Sequence, residues 1–361
     1  MVAATLPGSA RQAGARRLSR SGLLGLLALL AVLALVLAAG SGAYAIAPLR
    51  LAEVLADLAR DPAGAAQRSA DHLVFLQIRA PRLLLAVAAG AALAVAGALL
   101  QGIFRNPLAD PGLVGVSSGA ALATAAAIVA GQAWFPALPR LLGSWALVAS
   151  AFGGALATTA LVYAVAQVQG ATRLTVMLLA GIAINALAAA MLGWLSQVAT
   201  DAQLRALQFW LLGSLGGARW SSALLVGAAV AASVLAALRL SSALNALALG
   251  EAQAHALGVP VERVKRLAVL TVALAVGAVT AVTGIVGFVG LVAPHLVRLA
   301  AGPDHRSVLP GSALLGAALV LCADTFARTA AAPAELPLGV LTALIGAPFF
   351  LALLLRRRTS A

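Results

Sequence analysis

Between Leu83 and Leu100 the chain carries no charged residue, and that run decides what kind of protein this is. An α-helix rises 1.5 Å per residue, so about 20 apolar residues cross the ~30 Å hydrocarbon core of a bilayer. Inside that core each backbone N–H and C=O must find its partner within the protein, which leaves only helices and closed barrels. Barrel strands alternate apolar and polar side chains, and this run does not. It reads as a transmembrane helix. Gly90, Ala94 and Gly97 recur at helical spacing, so a neighbouring backbone can approach closely. Arg79-Ala-Pro-Arg82 precedes the run. Arg105-Asn-Pro-Leu-Ala-Asp-Pro-Gly112 and Gly115-Val-Ser-Ser-Gly119 follow it. Irregular backbone at membrane depth is tolerated where protein buries it or where it lines a watery cavity, so this turn reads as part of a pathway.

The rest of the chain repeats the pattern. Apolar segments are expected at Leu23–Ala39, Leu113–Val129, Leu141–Val168, Leu174–Val198, Ser222–Leu238, Leu267–Val286, the short Phe288–Gly302, Val308–Phe326 and Leu338–Leu355, beside the central one. The fold class is all-α integral membrane, with ten transmembrane helices. Composition agrees: 62% of the 361 residues are hydrophobic and 10% charged, where soluble domains carry about 25% charged residues. The net charge of +13 comes from arginines scattered among apolar runs, which excludes a nucleic-acid surface. Arg20, Arg105, Arg173, Arg239, Lys265, Arg266, Arg306 and Arg356 all fall on one side in this reading, which makes that side cytoplasmic and places both termini there. The expected organisation is a basic tail (1–20), a ten-span domain (21–355) with a long inner loop (239–266), and a short basic tail (356–361). The basic flank and first apolar run share the outline of a signal peptide, but the run is long and many spans follow it. Glu53, Asp57, Asp61 and Asp71 mark an external segment with a short amphipathic helix, and Trp134, Pro136, Pro139 and Arg140 a second external loop.

A shift of 187 residues aligns Gly90 with Gly277, Ala94 with Ala281, Val95 with Val282, Gly97 with Gly284 and Pro107 with Pro294. The two stretches run in opposite directions in this topology, so an inverted internal repeat is one reading; chance matching in an Ala/Gly/Val-rich chain is the other.

The ordered series of motifs already quoted continues with Gly287-Phe-Val-Gly-Leu291, Pro294-His295, Asp304-His305-Arg306, Asp324 with Ala327-Arg328, and Glu335-Leu-Pro-Leu-Gly339. Together they resemble the permeases of the iron-siderophore, hemin and cobalamin ABC importers, over residues 72 to 355. Thr200-Asp-Ala-Gln-Leu-Arg205 and the run from Phe209 to Gly217 look most like the hemin branch. The resemblance implies a type II importer permease of the bacterial inner membrane. It implies a homodimer joined by two cytoplasmic ATPase subunits and a periplasmic or lipid-anchored binding protein. ATP and Mg would be used by the ATPase partner, and no cofactor would be bound by this chain. Ferric siderophore and cobalamin stay open as cargo beside hemin.

Carried over residue by residue, the resemblance gives Arg79, Arg82 and Arg328 a role in docking the binding protein. A planar guanidinium grips a carboxylate well, although arginines snorkelling to an interface would look the same. Asn106 and Leu108, with Gly170, Ala171 and Thr172, match a cytoplasmic gate; Asn106-Pro107 also favours a turn for purely local reasons. In the inner loop, Glu251, Leu257, Gly258, Val259, Pro260 and Arg263 match an ATPase-coupling helix pair. Leu257 and Val259 would pack into the partner and Glu251 would pair with Arg263. The bland alternative is a solvated connector. His72, at the external mouth, is a candidate contact for an iron-bearing cargo, against a default of an interfacial polar residue. His72, His255, His295 and His305 show no ligand spacing, so no metal site is expected. Asp324 is an intramembrane carboxylate, costly unless paired, with Arg298 or a helix terminus as its expected partner. Cys322 stands alone and cannot form an intrachain disulfide. No Gly-x-x-x-x-Gly-Lys-Ser/Thr pattern occurs and no acid or histidine cluster faces one cavity, so the chain is not expected to be an enzyme. A secondary transporter would call for more intramembrane carboxylates and no docking loop.

Overall fold

The computed structural model describes residues 19–42, 44–61, 69–131, 141–143 and 145–358. Most of the basic N-terminal tail, the loop residues Trp134, Pro136, Pro139 and Arg140, and the side chains of Arg356, Arg357 and Arg358 lie outside the described residues.

The chain is helical almost throughout. Helix α1 (Arg20–Gly40) starts at Ser19, whose hydroxyl accepts the Gly22 N–H, and α2 (Pro48–Arg60) has proline in its first turn and buries Leu51 and Val54 beneath a polar face. Helix α3 (Ala70–Phe104) is the longest. Over Val74–Arg79 its hydrogen bonds widen by one residue, and the Leu76 carbonyl accepts the indole N–H of Trp220 instead, at 2.8 Å. It stops where Arg105 turns left-handed (φ 50°). After a tight turn at Pro111–Val114, Gly115 (φ 80°) admits α4 (Val116–Val129). Helix α5 (Trp145–Val165) leads into a hairpin of β1 (Gln167–Val168) and β2 (Ala171–Thr172), antiparallel with Gln167 opposite Thr172. There follow α6 (Leu174–Val198), α7 (Asp201–Leu212) behind a Thr200–Gln203 capping box, and α8 (Trp220–Arg239). Two short helices, α9 (Ser241–Ala248) and α10 (Glu251–Ala256), precede α11 (Val261–Thr283), α12 (Val289–Ala301), α13 (His305–Thr329) and α14 (Leu338–Arg358).

Each apolar segment expected from sequence contains a helix, although Leu141–Val168 ends in a strand and Leu267–Val286 outruns its helix. Among the described residues seven helices are long and apolar enough to cross a membrane: α1, α3, α5, α6, α8, α11 and α13. Helices α4, α12 and the apolar part of α14 are shorter. Two boundaries shift in ways that matter. Helix α3 begins at Ala70, so His72, Arg79 and Arg82 ride on it. Helix α11 begins at Val261, so the expected inner loop 239–266 ends in a rigid span carrying Glu262, Arg263 and Lys265.

Helix α3 is the axis of the bundle: 83% of its most apolar window is buried, against 17% for α6. It packs on α13, α8, α11 and α12. A Cβ on Gly90 would sit 2.1 Å from the Gly316 carbonyl oxygen of α13, and one on Gly97 would sit 2.0 Å from the Gly290 oxygen of α12. Backbones therefore touch at both points. Lipid tails are as apolar as leucine, so helices gain little by hiding from them, and close packing of small residues supplies the attraction. Gly277, the sequence echo of Gly90, faces side chains and no foreign backbone, with Ala155 Cβ 3.3 Å from an added Cβ. The two aligned glycines do different work.

Candidate functional site

Two polar clusters interrupt the apolar bundle, one toward each end of α3. At the first, α3 presents Arg79 and Arg82 to Asp324 and Arg328, which stand one turn apart on α13. The Arg82 fork holds two carboxylates. It donates to Asp324 from Nη2 at 2.8 Å and from Nε at 3.1 Å, and to Glu335 from Nη1 at 2.7 Å and Nη2 at 2.9 Å. Arg328 donates to the Ser41 carbonyl at 2.9 Å and the Ala38 carbonyl at 3.1 Å, with its Nε 3.1 Å from Asp324. Arg79 donates to the carbonyls of Ala39 and Tyr44. The end of α1 is left with orphan carbonyls as every helix is, and these two arginines satisfy them. All three guanidiniums are buried, and Glu335 is the open edge of the cluster, its side chain 41% exposed. The Arg82 hydrogen bond holds the Glu335 carboxyl below the usual range.

The structure thus brings Arg79, Arg82 and Arg328 together and gives each an internal partner. It corrects the expected partner of Asp324. Arg298 instead donates to the side chain of Gln101, which in turn donates to the Gly290 carbonyl at 3.1 Å. Depth is the reason: Gln101 lies roughly 28 Å along α3 from Arg82, at 1.5 Å per residue. His72 is also differently placed from expectation. It is buried behind α2, with Nδ1 2.8 Å from the Ser69 hydroxyl and Nε2 3.3 Å from Asp57. Nearby, the Tyr44 hydroxyl donates to Asp71 at 2.6 Å, and this bond raises its pKa.

At the other end, the Asn106 side chain accepts the Leu108 N–H at 2.9 Å, closing a local turn. Pro107 and Leu108 border a cleft with Leu291, Val292, His295, Phe349 and Phe350. The turn beyond is fixed from α6, where Asn185 donates to the Gly112 carbonyl at 2.9 Å and accepts the Ser118 hydroxyl. Asp110 accepts the Gly112 N–H at 2.8 Å, and burial pushes its carboxyl up. Asn185 is a positioning residue that sequence reading placed in a span without giving it a role; a lone amide among apolar neighbours was the only available signal. Gly170 and Ala171 are exposed at the tip of the hairpin, while Thr172 is buried against α11. The two halves of the expected gate therefore rest on different neighbours, one on α12 and α14, the other on α11.

The second charged cluster lies beneath that hairpin. Lys265, the chain's only lysine, is 1% exposed. Its Nζ donates to the Thr172 carbonyl at 3.0 Å, to Glu251 at 2.8 Å and to Glu262 at 3.1 Å. Glu262 also accepts the Thr172 N–H at 2.8 Å and its hydroxyl at 2.6 Å. This overturns the expected Glu251–Arg263 pair. Two residues along a helix is about 200° of rotation, so Lys265 faces inward where Arg263 faces out. Val259, expected to pack into a partner, packs against the chain's own core, while Leu257 is 65% exposed. Pro260 caps α11 and Gly258 (φ 78°) turns the chain into it. Next door, Asn245 of α9 donates to Asp304 at 2.6 Å and accepts the His305 N–H at 2.9 Å. The Arg306 N–H, with Asn245, holds the Asp304 carboxyl below its ordinary value. Among the described residues no three His, Cys, Asp or Glu side chains are grouped to hold a metal ion.

Comparison with known proteins places this geometry. The profile of the FecCD transport family matches residues 28–356. The hemin transport system permease protein HmuU of Yersinia pestis is 44% identical over 285 residues, covering 79% of this chain and 84% of the relative. The vitamin B12 import system permease protein BtuC of Citrobacter koseri is 40% identical over 287 residues, covering 80% and 84%. A solved structure described as an inward-facing conformation of a metal-chelate type ABC transporter superposes with a TM-score of 0.78 at 33% identity, covering 93% of this chain and 99% of that one.

Proposed function

Since this chain belongs to the FecCD transport family, we propose that it forms the membrane path by which an ATP-driven importer carries hemin across the bacterial inner membrane. It is a multi-pass permease subunit of an ABC importer and has no catalytic activity of its own. The observation that carries the cargo reading is the 44% identity to a hemin permease along most of both chains. Cobalamin is the second reading, favoured by the 40% identity to a vitamin B12 permease, and ferric siderophore the third.

In this reading two copies form a homodimer, two ATPase subunits bind the Lys265 end, and a periplasmic or lipid-anchored binding protein docks at the Arg82 end. Basic residues at the Lys265 end, Arg173, Arg239 and Arg266 among them, support its assignment to the cytoplasm, together with both termini. ATP and Mg are used by the ATPase partner, and this chain binds no cofactor. Exposed Leu257 beside Gly258 offers the ATPase an apolar knob, and α10 moves with it; Pro260 and Arg263 border the same contact. Asn106, Leu108 and the 170–172 hairpin tip close the path on that side. At the other end Arg79, Arg82 and Arg328, buried and partnered within the chain, set the position of Glu335, the exposed group of the cluster that the binding protein meets.

Reconstitution in proteoliposomes with a partner ATPase and binding protein tests the cargo. ATP-dependent hemin uptake is expected. Cobalamin entering while hemin fails would replace the first reading with the second, and uptake driven by an ion gradient without ATPase would sink the importer reading.

A further inference from the structure

We infer that Lys265 is the joint through which displacement of the short helix α10 reaches the 167–172 hairpin, and so a positioning residue for the transport cycle. The inference rests on the importer reading above.

An ammonium has three N–H donors, and here each serves a different segment: Glu251 on α10, Glu262 on α11 and the Thr172 carbonyl on β2. If the role were only to fill space at this depth, a leucine or methionine would do so without the cost of desolvating a charge. The segments joined differ in freedom. Helix α11 is anchored in the core, with 72% of its apolar window buried. Helix α10 is a single short element between Gly250 (φ 123°) and Gly258 (φ 78°), two backbone states that other residues rarely adopt. A Cβ at Gly258 would meet nothing within 4 Å, so the turn faces open space. The hairpin runs straight into α6, the span with the least buried apolar window. Thr172 is held three times over, by Lys265 through its carbonyl and by Glu262 through its N–H and hydroxyl, and Gln167 donates to its hydroxyl at 2.7 Å. A push on α10 therefore has a short polar route to the start of α6 that does not pass through the close-packed α3 core. Lysine suits a joint that must keep its bonds while they rotate, because its charge is a compact point on a flexible stem.

The test uses the full permease–ATPase complex in proteoliposomes, measuring cargo uptake and ATP hydrolysis together. Lys265→Met is expected to lower cargo moved per ATP by about tenfold, a typical coupling magnitude. Glu251→Gln takes the charge from the α10 arm while leaving an amide oxygen there, at a side chain already 40% exposed, and lowers the ratio about threefold, at the low end of such couplings. Uptake and hydrolysis falling in step, with an unchanged ratio in both variants, would overturn the inference. A second readout does not depend on cargo: spin labels at the exposed positions Gln253 and Ala171, in a Cys322→Ser background with one labelled protomer per dimer. Their separation stays narrow through the nucleotide cycle in the parent and broadens in Glu251→Gln. Equal widths in both would also overturn it. A parent complex that moves no cargo but shows the label difference would fail the importer reading while leaving the joint standing.

Discussion

The Arg82 cluster and the Lys265 cluster are made from the same few ingredients in opposite proportions. The first sets three guanidiniums against two carboxylates, and the surplus cations turn to the backbone carbonyls that α1 leaves unpaired. The second sets one ammonium against two carboxylates, and the surplus acid turns to the N–H and hydroxyl of Thr172. Planar forks meeting carboxylates side-on fix both distance and orientation; a single ammonium fixes distance alone. The Asp324 side chain is 2% exposed, whereas Glu251 and Glu262 are 40% and 32% exposed. One end of the molecule is thus an over-determined frame, dry at Asp324 and open at Glu335, and the other a hinge whose two acids are both part-exposed. Charge count alone would not have separated them.

The sharpest way to break the comparison is Asp324→Ala. It removes the buried carboxylate shared by Arg82 and Arg328, and a loss of about 3–5 kcal/mol is expected, read as a collapsed melting temperature in detergent. Lys265→Met leaves acids that water can reach, so its cost should stay near 1–2 kcal/mol on the same assay. A larger loss for Lys265 than for Asp324 would mean that the hinge is the frame. Next in size is Arg82→Lys, expected to lose about 2 kcal/mol because one ammonium cannot serve both carboxylates in the plane of a fork. Stability equal to the parent would show that orientation counts for nothing there.

The smallest effect is a pH dependence. The folded Glu335 carboxyl sits below its unfolded value near ~4.3, so it stabilises the fold above that pH and the contribution is lost as pH falls through the folded value. Exposure limits the contribution to under about 1 kcal/mol. Parent and Glu335→Gln melting curves should differ at pH 6 and converge toward pH 3. A gap that widens on acidification would contradict the Arg82–Glu335 pair.

Much of the architecture could be read from the sequence because hydrocarbon admits so few alternatives: a charge-free run of the right length has to be a helix, and each one is. The Arg/Asp/Glu content of the two ends was visible too. Their pairings were not. Arg82 and Asp324 are 242 residues apart, and nothing local announces the contact. The coupling-loop resemblance pairs Glu251 with Arg263, where helical phase selects Lys265; Asp324 and Arg298 are both intramembrane charges, but depth along α3 separates them. His72, expected at the external mouth, rides on the longer α3, which folds it behind α2. In each case the residue types were right and the missing quantity was a rotation or a height.

Rotation also gives the widened turn at Val74–Arg79 its significance. Each residue of an α-helix advances about 100°, so one extra residue in a turn offsets the whole segment before it by that angle relative to the segment after. His72 can then face α2 while Arg82 faces α13 along one continuous helix. The turn acts as a phase shifter between two gears on one shaft. Removing a single residue there would leave a helix whose two ends no longer engage their partners together.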